Sequence, residues 1–206
     1  MDANQDGLSN PYGMDEDCTN CDLCTARERV VHGYGDVGAD FLFVGESLSA
    51  SDEAAGVPLA TDPTFRRILE RLMLCASQSP ADQPELANSF CTVLTRCRHP
   101  DRDATDEEVA TCEPYLNAEV RMINPEILIP VGERALAELG EEYTTKPASE
   151  LDVQEHHGET IRGRGFELVP MIAPENQTDE DTQTFVEQFA SLMARDYRQT
   201  KGRRSR

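Results

Sequence analysis

Four of the seven cysteines in this sequence form a pattern that suits a bound metal. Cys18 and Cys21 have C-x2-C spacing, while Cys97 and Cys112 lie much further along the chain. Four thiolates from two distant segments can hold a tetrahedral zinc ion or a cubane iron–sulfur cluster. Structural zinc usually draws on two closely spaced pairs, so the wide spacing of Cys97 and Cys112 slightly favours the cluster. Four buried thiols without any metal are the alternative.

The other three cysteines have different expected roles. Cys24 follows Cys21 at the same C-x2-C spacing and could replace one of the ligands. Cys75 and Cys91 lie in apolar patterns, which predicts that they belong to the core. Because the total is odd, a framework of disulfides is a poor explanation for these cysteines.

The elements that position these residues alternate between strands and helices. Three apolar runs predict buried strands over 39–44, 90–95 and 126–131. Apolar residues at helical spacing predict helices from about 63, from 105, over 133–139 with Gly140 as the cap, and over 179–197. A hairpin is predicted around 163–165, and 47–62 is predicted to be a long loop. This alternation predicts an α/β fold whose largely parallel sheet is covered on both faces.

Composition indicates one soluble, very acidic domain. The chain has 206 residues, and 19 basic against 39 acidic side chains give a net charge of −20. No apolar run approaches the ~20 residues that a membrane span needs, and no secretion signal follows Met1, so we expect a cytoplasmic protein without a membrane partner. Only two of the basic residues are lysines, Lys146 and Lys201, which is typical of a halophile that accumulates salt. An acidic mesophilic protein is the alternative interpretation.

At high salt, the negative charge of the chain does not exclude binding to nucleic acid. An acidic chain would ordinarily be a poor nucleic-acid binder. At ~1 M salt, however, the Debye length is only ~3 Å, so distant carboxylates repel a phosphate backbone weakly. Local chemistry then decides whether nucleic acid binds.

Several motifs in order along 18–195 resemble one family. They are Cys18-x2-Cys21-x-Leu23-x3-Arg27, Phe43-Val44-Gly45-Glu46, Gly56-x-Pro58, Arg96-Cys97-Arg98-x-Pro100, Cys112-x-Pro114-Tyr115-Leu116 and Asn124-Pro125-x-Ile127. Each motif alone is weak, but together they resemble the iron–sulfur (fourth-family) type of uracil-DNA glycosylase.

The resemblance implies a fold, a cofactor and a partner. The fold is a three-layer αβα sandwich with a central four-stranded parallel sheet. The cofactor is a [4Fe–4S] cluster on Cys18, Cys21, Cys97 and Cys112, and the partner is DNA. We expect a single domain over 18–197, a flexible N-terminal arm over 1–17 and a basic tail over 198–206. A monomer is the simplest expectation for the oligomeric state.

The chain departs from the family pattern where the base is held. Gly45 and Glu46 match the first active-site motif, but the rest of that motif differs. Leu59 stands where the family has an aromatic that stacks on uracil, and Val93 stands where it has an asparagine that reads the uracil edge. Ala173 stands where it has a histidine. A flipped base is held by stacking and read by hydrogen bonds, so these changes predict an apolar pocket that rejects uracil.

Other polar residues are candidates for supporting roles. Glu46 could position water or stabilise positive charge on the sugar, or it could simply bind backbone amides. Arg96, Arg98 and Arg102 flank the third cysteine of the motif and are candidate phosphate contacts. We expect His156 and His157, which lie in a polar stretch, to be exposed.

Two classes of function stay open at this point. The first is a glycosylase that hydrolyses the N-glycosidic bond of a flipped damaged base, with a substrate other than uracil allowed. The second is a non-catalytic iron–sulfur module that binds nucleic acid or a protein partner. Of the two, we favour the enzyme.

Overall fold

A six-stranded mixed sheet forms the centre of the computed structural model, which describes residues 16–59, 61–76 and 84–197. The strands are β1 (Tyr34–Gly35), β2 (Phe41–Gly45), β3 (Ser89–Val93), β4 (Ile127–Val131), β5 (Ile161–Arg162) and β6 (Glu167–Leu168). Their order is β1-β3-β2-β4-β6-β5. The inner four strands are parallel, whereas β1 and β5 pair antiparallel at the two edges. The carboxyl ends of the inner strands therefore all lie along the same side of the sheet, which we call its carboxyl edge.

The part of the chain that the structure describes contains five α-helices. They are α1 (Ala50–Ala55), α2 (Pro63–Arg71), α3 (Asp106–Ile123), α4 (Glu133–Tyr143) and α5 (Asp179–Met193). Successive side chains of a strand point to opposite faces. Accordingly, Leu42 and Val44 of β2 pack with α3 and α4, while Phe41 and Phe43 pack with α2 and α5. Helices thus lie on both faces of the sheet, as a three-layer sandwich requires.

The predicted α/β class is confirmed, but the number of strands was wrong. The described residues contain six strands rather than four, because two antiparallel strands, β1 and β5, extend the four parallel ones. β1 is only two residues long and leaves no period-two pattern in the sequence. The predicted hairpin around 163–165 is β5 paired with β6. The long loop over 47–62 contains α1, which Ser49 begins with a capping box to Asp52.

Gly140 is not the cap of α4. The helix continues to Tyr143, and Thr144 is its C-cap. A β-carbon at residue 140 would collide with Cδ1 of Leu151, so glycine allows this leucine to pack closely against the helix. The sequence alone does not distinguish these two uses of glycine at the end of an apolar pattern.

The predicted arm over 1–17 and tail over 198–206 fall almost entirely outside the described residues, and the domain boundaries stay predictions. Within the described residues, no helix has the length and apolar character needed to cross a bilayer. Cys75 and Cys91 are both buried, which confirms that they belong to the core.

Candidate functional site

Glu46 lies at the carboxyl end of β2, directly before the loop that leads to α1. Its Oε1 accepts a hydrogen bond of 2.7 Å from the backbone N–H of Arg134, in the first turn of α4. Burial raises the pKa of Glu46; the Arg134 N–H opposes this, and the nearby Glu175 adds to it. Glu46 therefore binds a backbone amide, as one of the two interpretations predicted.

A glycine allows Glu46 to sit this close to α4. Gly132, the N-cap of α4, has a φ of 100°, in the region that favours glycine. A β-carbon there would lie 2.3 Å from Oε1 of Glu46. The close approach of backbone and carboxylate thus depends on the absence of a side chain.

Leu59 and Val93 close over the end of β2. A β-carbon on Gly45 would lie 2.7 Å from Cδ2 of Leu59 and 3.3 Å from Cγ1 of Val93, so both side chains occupy the space above Gly45. Leu59 is 9% exposed and Val93 is fully buried. Leu59 holds a left-handed backbone with φ 61°, a strained conformation for a residue with a β-carbon. The space beside Gly45 is therefore lined by apolar side chains.

Ala173 lies at the same edge of the sheet. It begins the short 3₁₀ helix Pro174–Asn176, two residues after Met171, which bridges to Val131 at the end of β4. Glu175 of that helix is close enough to act on Glu46 electrostatically. The structure therefore places Leu59 and Val93 beside Gly45 and places Ala173 just after the segment that bridges to the end of β4.

His157 binds the backbone of the segment that precedes Ala173. It is buried, so the prediction that it is exposed was wrong. Its Nδ1 accepts from the backbone N–H of Ile172 at 3.0 Å, and its Nε2 lies 2.9 Å from the carbonyl oxygen of Asp181. The ring also lies 5.5 Å from that of Phe185. Burial lowers the pKa of His157, so the neutral ring is the form that fits these contacts.

The four predicted cysteine ligands lie together in one group. Cys97 and Cys112 pack with Leu23 and Val30, and Cys18 and Cys21 pack against that group. We call these four residues the cysteine cluster. Asn20 donates to the hydroxyl of Tyr115 at 2.8 Å, which ties the first pair to α3. Cys24 is not part of the cluster.

The chemistry of the cysteine cluster fits a thiolate-bound metal group. Burial raises the pKa of Cys21 and Cys112 and raises that of Cys97 to about 12, and these thiols also influence one another. Metal ligands must be deprotonated, so binding of a metal would release protons here. No group of three or more His, Cys, Asp or Glu side chains within the described ranges already has ligand geometry. The four cysteines are suitable donors for a metal group, and they pack together.

Arg96 cannot contact phosphate, so its prediction was wrong. Its side chain is 1% exposed, and Nη2 lies 2.5 Å from Oε2 of Glu119 on α3. Glu119 also accepts from the hydroxyl of Thr92 at 2.6 Å and from the backbone N–H of Gly33 at 3.1 Å. A buried arginine needs a counter-charge, and nothing near residue 96 in the sequence indicated a partner 23 residues away.

Arg98 and Arg102 reach the surface, both next to carboxylates. Nη1 of Arg98 lies 3.8 Å from Oε2 of Glu53, and Arg102 donates two 2.7 Å hydrogen bonds to Glu108. These bonds lower the pKa of Glu108 to about 2. Both arginines line a cavity of about 340 Å³ between the loops after β2 and β3, which Ser47, Leu48 and Cys97 also border. The cavity thus joins the surroundings of Glu46 to those of the cysteine cluster.

Known proteins resemble this chain along most of its length. A family model described as the uracil DNA glycosylase superfamily matches residues 32–193. The chain is 26% identical over 135 residues to the type-4 uracil-DNA glycosylase of Saccharolobus solfataricus, covering 64% of this chain and 58% of that protein. It is 31% identical over 121 residues to the type-4 uracil-DNA glycosylase of Thermotoga maritima, covering 58% and 59%. It is 30% identical over 138 residues to the type-4 uracil-DNA glycosylase of Pyrobaculum aerophilum, covering 64% of this chain and 65% of that protein.

Each of these alignments spans less than two thirds of the relative's length. The family match, by contrast, runs from just before β1 to the end of α5 and includes the whole sheet and the edge that carries Glu46. The chain therefore belongs to the uracil-DNA glycosylase superfamily.

Proposed function

We propose that this protein is a DNA repair glycosylase that hydrolyses the N-glycosidic bond of a base flipped out of DNA, and that uracil is a poor substrate for it. The observation that supports this most is the half-buried Glu46 carboxylate at the carboxyl edge of a parallel sheet. Ligands of open α/β sheets bind at that edge. The curated relatives named above are uracil-DNA glycosylases, which supports the reaction but not the base.

Glu46 would act on the sugar. Breaking the bond between C1′ and the base leaves positive charge on the deoxyribose ring while the base departs with the electron pair. A carboxylate held by the Arg134 N–H can stabilise that charge and accept a proton from the water that attacks C1′. The fixed hydrogen bond keeps one oxygen in place, so little reorganisation is needed during the reaction.

The apolar side chains beside Gly45 argue against uracil. Uracil presents two carbonyls and one N–H along its reading edge, and burying such groups without partners costs about 1–3 kcal/mol each. Leu59 and Val93 offer no hydrogen bond, and Ala173 cannot stabilise a departing anion. The side chains that close over Gly45 would also have to move before any base could enter.

Excision assays on a panel of modified oligonucleotides at molar KCl test this function. We expect wild-type protein to excise a base other than uracil, and Glu46→Gln to lose that activity while the exposed α3 variant Glu113→Gln keeps it. The triple variant Val93→Asn, Leu59→Phe, Ala173→His should gain uracil excision. Rapid excision of uracil by the wild-type protein would contradict the apolar-pocket argument.

A non-catalytic DNA-binding module is the second candidate. It is favoured by the way Leu59 and Val93 fill the space above Gly45. Gel-shift assays on the same oligonucleotides separate the two candidates. Binding without excision of any base, unchanged in Glu46→Gln, would support the module and refute the enzyme.

We also propose that Cys18, Cys21, Cys97 and Cys112 hold a [4Fe–4S] cluster. The donor set and its apolar surroundings support this, and when bound such a cluster would lock the segment before β1 onto α3. Anaerobically purified protein should contain iron and sulfide and show visible absorption that dithionite bleaches. Cys97→Ser and Cys112→Ser should lose iron and stability together, whereas Cys24→Ser should keep both. Stoichiometric zinc without iron would refute the proposal.

The setting that we propose is a cytoplasm with concentrated salt, where the protein works on DNA. The composition supports it, with a net charge of −20 and only two lysines. In such a medium screening limits the repulsion between this surface and DNA. Arg98 and Arg102, which line the cavity beside the site, are the candidate phosphate contacts that lie at the surface.

A further inference from the structure

The guanidinium of Arg27 contacts the cysteine cluster directly. Its Nη1 donates to Sγ of Cys97 at 3.6 Å, and its Nη2 donates to the carbonyl oxygen of Glu16 at 3.3 Å. Arg27 comes just after the 3₁₀ helix Asp22–Thr25, on the segment that supplies Cys18 and Cys21. It therefore reaches from the first cysteine pair to a member of the second.

Local structure aims Arg27 at that sulfur. The backbone N–H groups of Ala26 and Arg27 donate to the carbonyl oxygen of Leu23 at 3.1 and 3.0 Å, which turns the chain back. Leu23 itself is fully buried in the cluster beside Cys97. Because this anchor fixes the backbone of Arg27, the guanidinium keeps its position without a carboxylate partner among the described residues.

Arg27 differs in this from Arg96, a second cation close to the cysteines. Arg96 has a counter-charge in Glu119 at 2.5 Å, and this carboxylate opposes the effect of Arg96 on Cys112. Within the described residues, the side-chain contacts of Arg27 are one sulfur and one carbonyl oxygen. It is thus an uncompensated positive charge next to a group of four potential thiolates.

We propose that Arg27 is a positioning and tuning residue that raises the reduction potential of the cluster held by these cysteines. The inference rests on the iron–sulfur cluster proposed above. Reduction adds one electron to the cluster, and a hydrogen bond from a cation to a ligand sulfur stabilises the added negative charge. Removing that cation makes the reduced form less stable relative to the oxidised form.

The test is a dithionite titration of anaerobically purified wild type, Arg27→Met and Arg29→Met, followed by visible absorption with redox mediators. Arg29→Met makes the same charge change two residues away, on an exposed side chain that lies beside Gly56. We expect the equilibrium constant for reduction to fall about tenfold in Arg27→Met, a shift of about 59 mV towards negative potential for one electron. Arg29→Met should match wild type, because exposed charges are screened at molar KCl.

A second variant covers the case in which Arg27→Met does not retain iron. Arg27→Lys keeps the charge but loses the planar set of donors, so its potential should lie between those of wild type and Arg27→Met. If Arg27→Met does not load, Arg27→Gln takes its place and should shift in the same direction.

Two distinguishable outcomes would overturn the proposal. A wild-type protein without iron refutes the cluster itself and the inference with it. If the wild type contains the cluster and the Arg27 variants all have the same reduction potential as the wild type, the cluster proposal stands. The role of Arg27 is then refuted.

Discussion

Among single residues, the buried pair of Arg96 and Glu119 connects three parts of the protein. Arg96 precedes Cys97, and Glu119 lies on α3 two turns after Cys112. Arg96 also donates to the carbonyl oxygen of Val93, and Glu119 accepts from Gly33 just before β1. The pair therefore fixes the position of one cysteine pair relative to the end of β3.

Replacing Glu119 with Gln should destabilise the protein by about 3–5 kcal/mol. The substitution keeps the shape but leaves the Arg96 guanidinium buried without a counter-charge, which is costly. Urea unfolding at molar KCl measures this. Glu113→Gln, an exposed change on the same helix, is the control and should stay within about 0.5 kcal/mol of wild type. A loss below about 1 kcal/mol for Glu119→Gln would contradict the argument.

His157 should make stability depend on pH. Its pKa is lowered in the folded protein, so below the ordinary value of about 6.5 the unfolded chain binds the extra proton first. The stability that the neutral ring contributes is therefore complete above about pH 6.5 and is lost as pH falls towards the folded-state pKa, by at most about 1.4 kcal/mol per pH unit.

Unfolding free energies between about pH 7.5 and about pH 5.5, a range that brackets the ordinary histidine pKa, measure this effect. His157→Asn keeps an acceptor for the Ile172 N–H but cannot titrate, so its stability should fall less with acid than that of wild type. His156→Asn, a change at the less buried neighbour, should behave as wild type does. Equal pH profiles for all three proteins would exclude His157 as the source.

The sequence correctly indicated the cysteine cluster, but it led to wrong predictions for Arg96 and His157, which were expected to be accessible and are buried. The Cys18–Cys21 spacing and the positions of Cys97 and Cys112 are local features, so they could be read directly. Burial of Arg96 and His157 depends on Glu119, on Phe185 and on the backbone of Ile172, which are brought near only by the fold. Arg27 was noted as part of a motif, but its contact with Cys97 requires the turn anchored on Leu23.

At the scale of elements, the start of α4 determines where Glu46 can be. Gly132→Ala should move the carboxylate away from the Arg134 N–H, because the new methyl group would collide with Oε1. A displacement of about 1 Å in a catalytic group can cost about a hundredfold in rate, so we expect excision of the best substrate to fall by that order.

Gly165→Ala is the matched control for this prediction. Gly165 also has a positive φ, 86°, but a β-carbon there has no atom within 4 Å. It reproduces the backbone strain of the Gly132 change without touching Glu46. Loss of excision in both variants to the same extent would mean that strain, and not the position of Glu46, explains the effect.

The main strands and helices could be predicted because each has a clear apolar pattern. β2 and β4 are apolar runs, β3 is buried along its whole length, and α2, α3 and α5 repeat apolar residues at helical spacing. The elements that were missed have no such pattern. α1 is six residues long and is defined by its cap, while β1 exists because β3 offers it hydrogen bonds.

For the whole molecule, net charge predicts that folding depends on salt. With a net charge of −20, repulsion within the chain should loosen or unfold the protein at low ionic strength. Circular dichroism melts between ~0.05 M and ~2 M KCl, which span weak and strong screening, should show a rising midpoint. Sucrose, an osmolyte without charge, serves to separate screening from general stabilisation. Melts that do not change over this range would contradict the prediction.

The two short edge strands have a consequence for self-association. A net negative charge normally keeps copies of a protein apart, but concentrated salt shortens the range of that repulsion to a few ångströms. Geometry must then prevent the sheets of neighbouring molecules from joining. β1 and β5, each two residues long, leave only a few backbone groups free to pair with another chain. We therefore expect the brevity of these strands to limit pairing between molecules in concentrated salt, where charge repulsion is weakest.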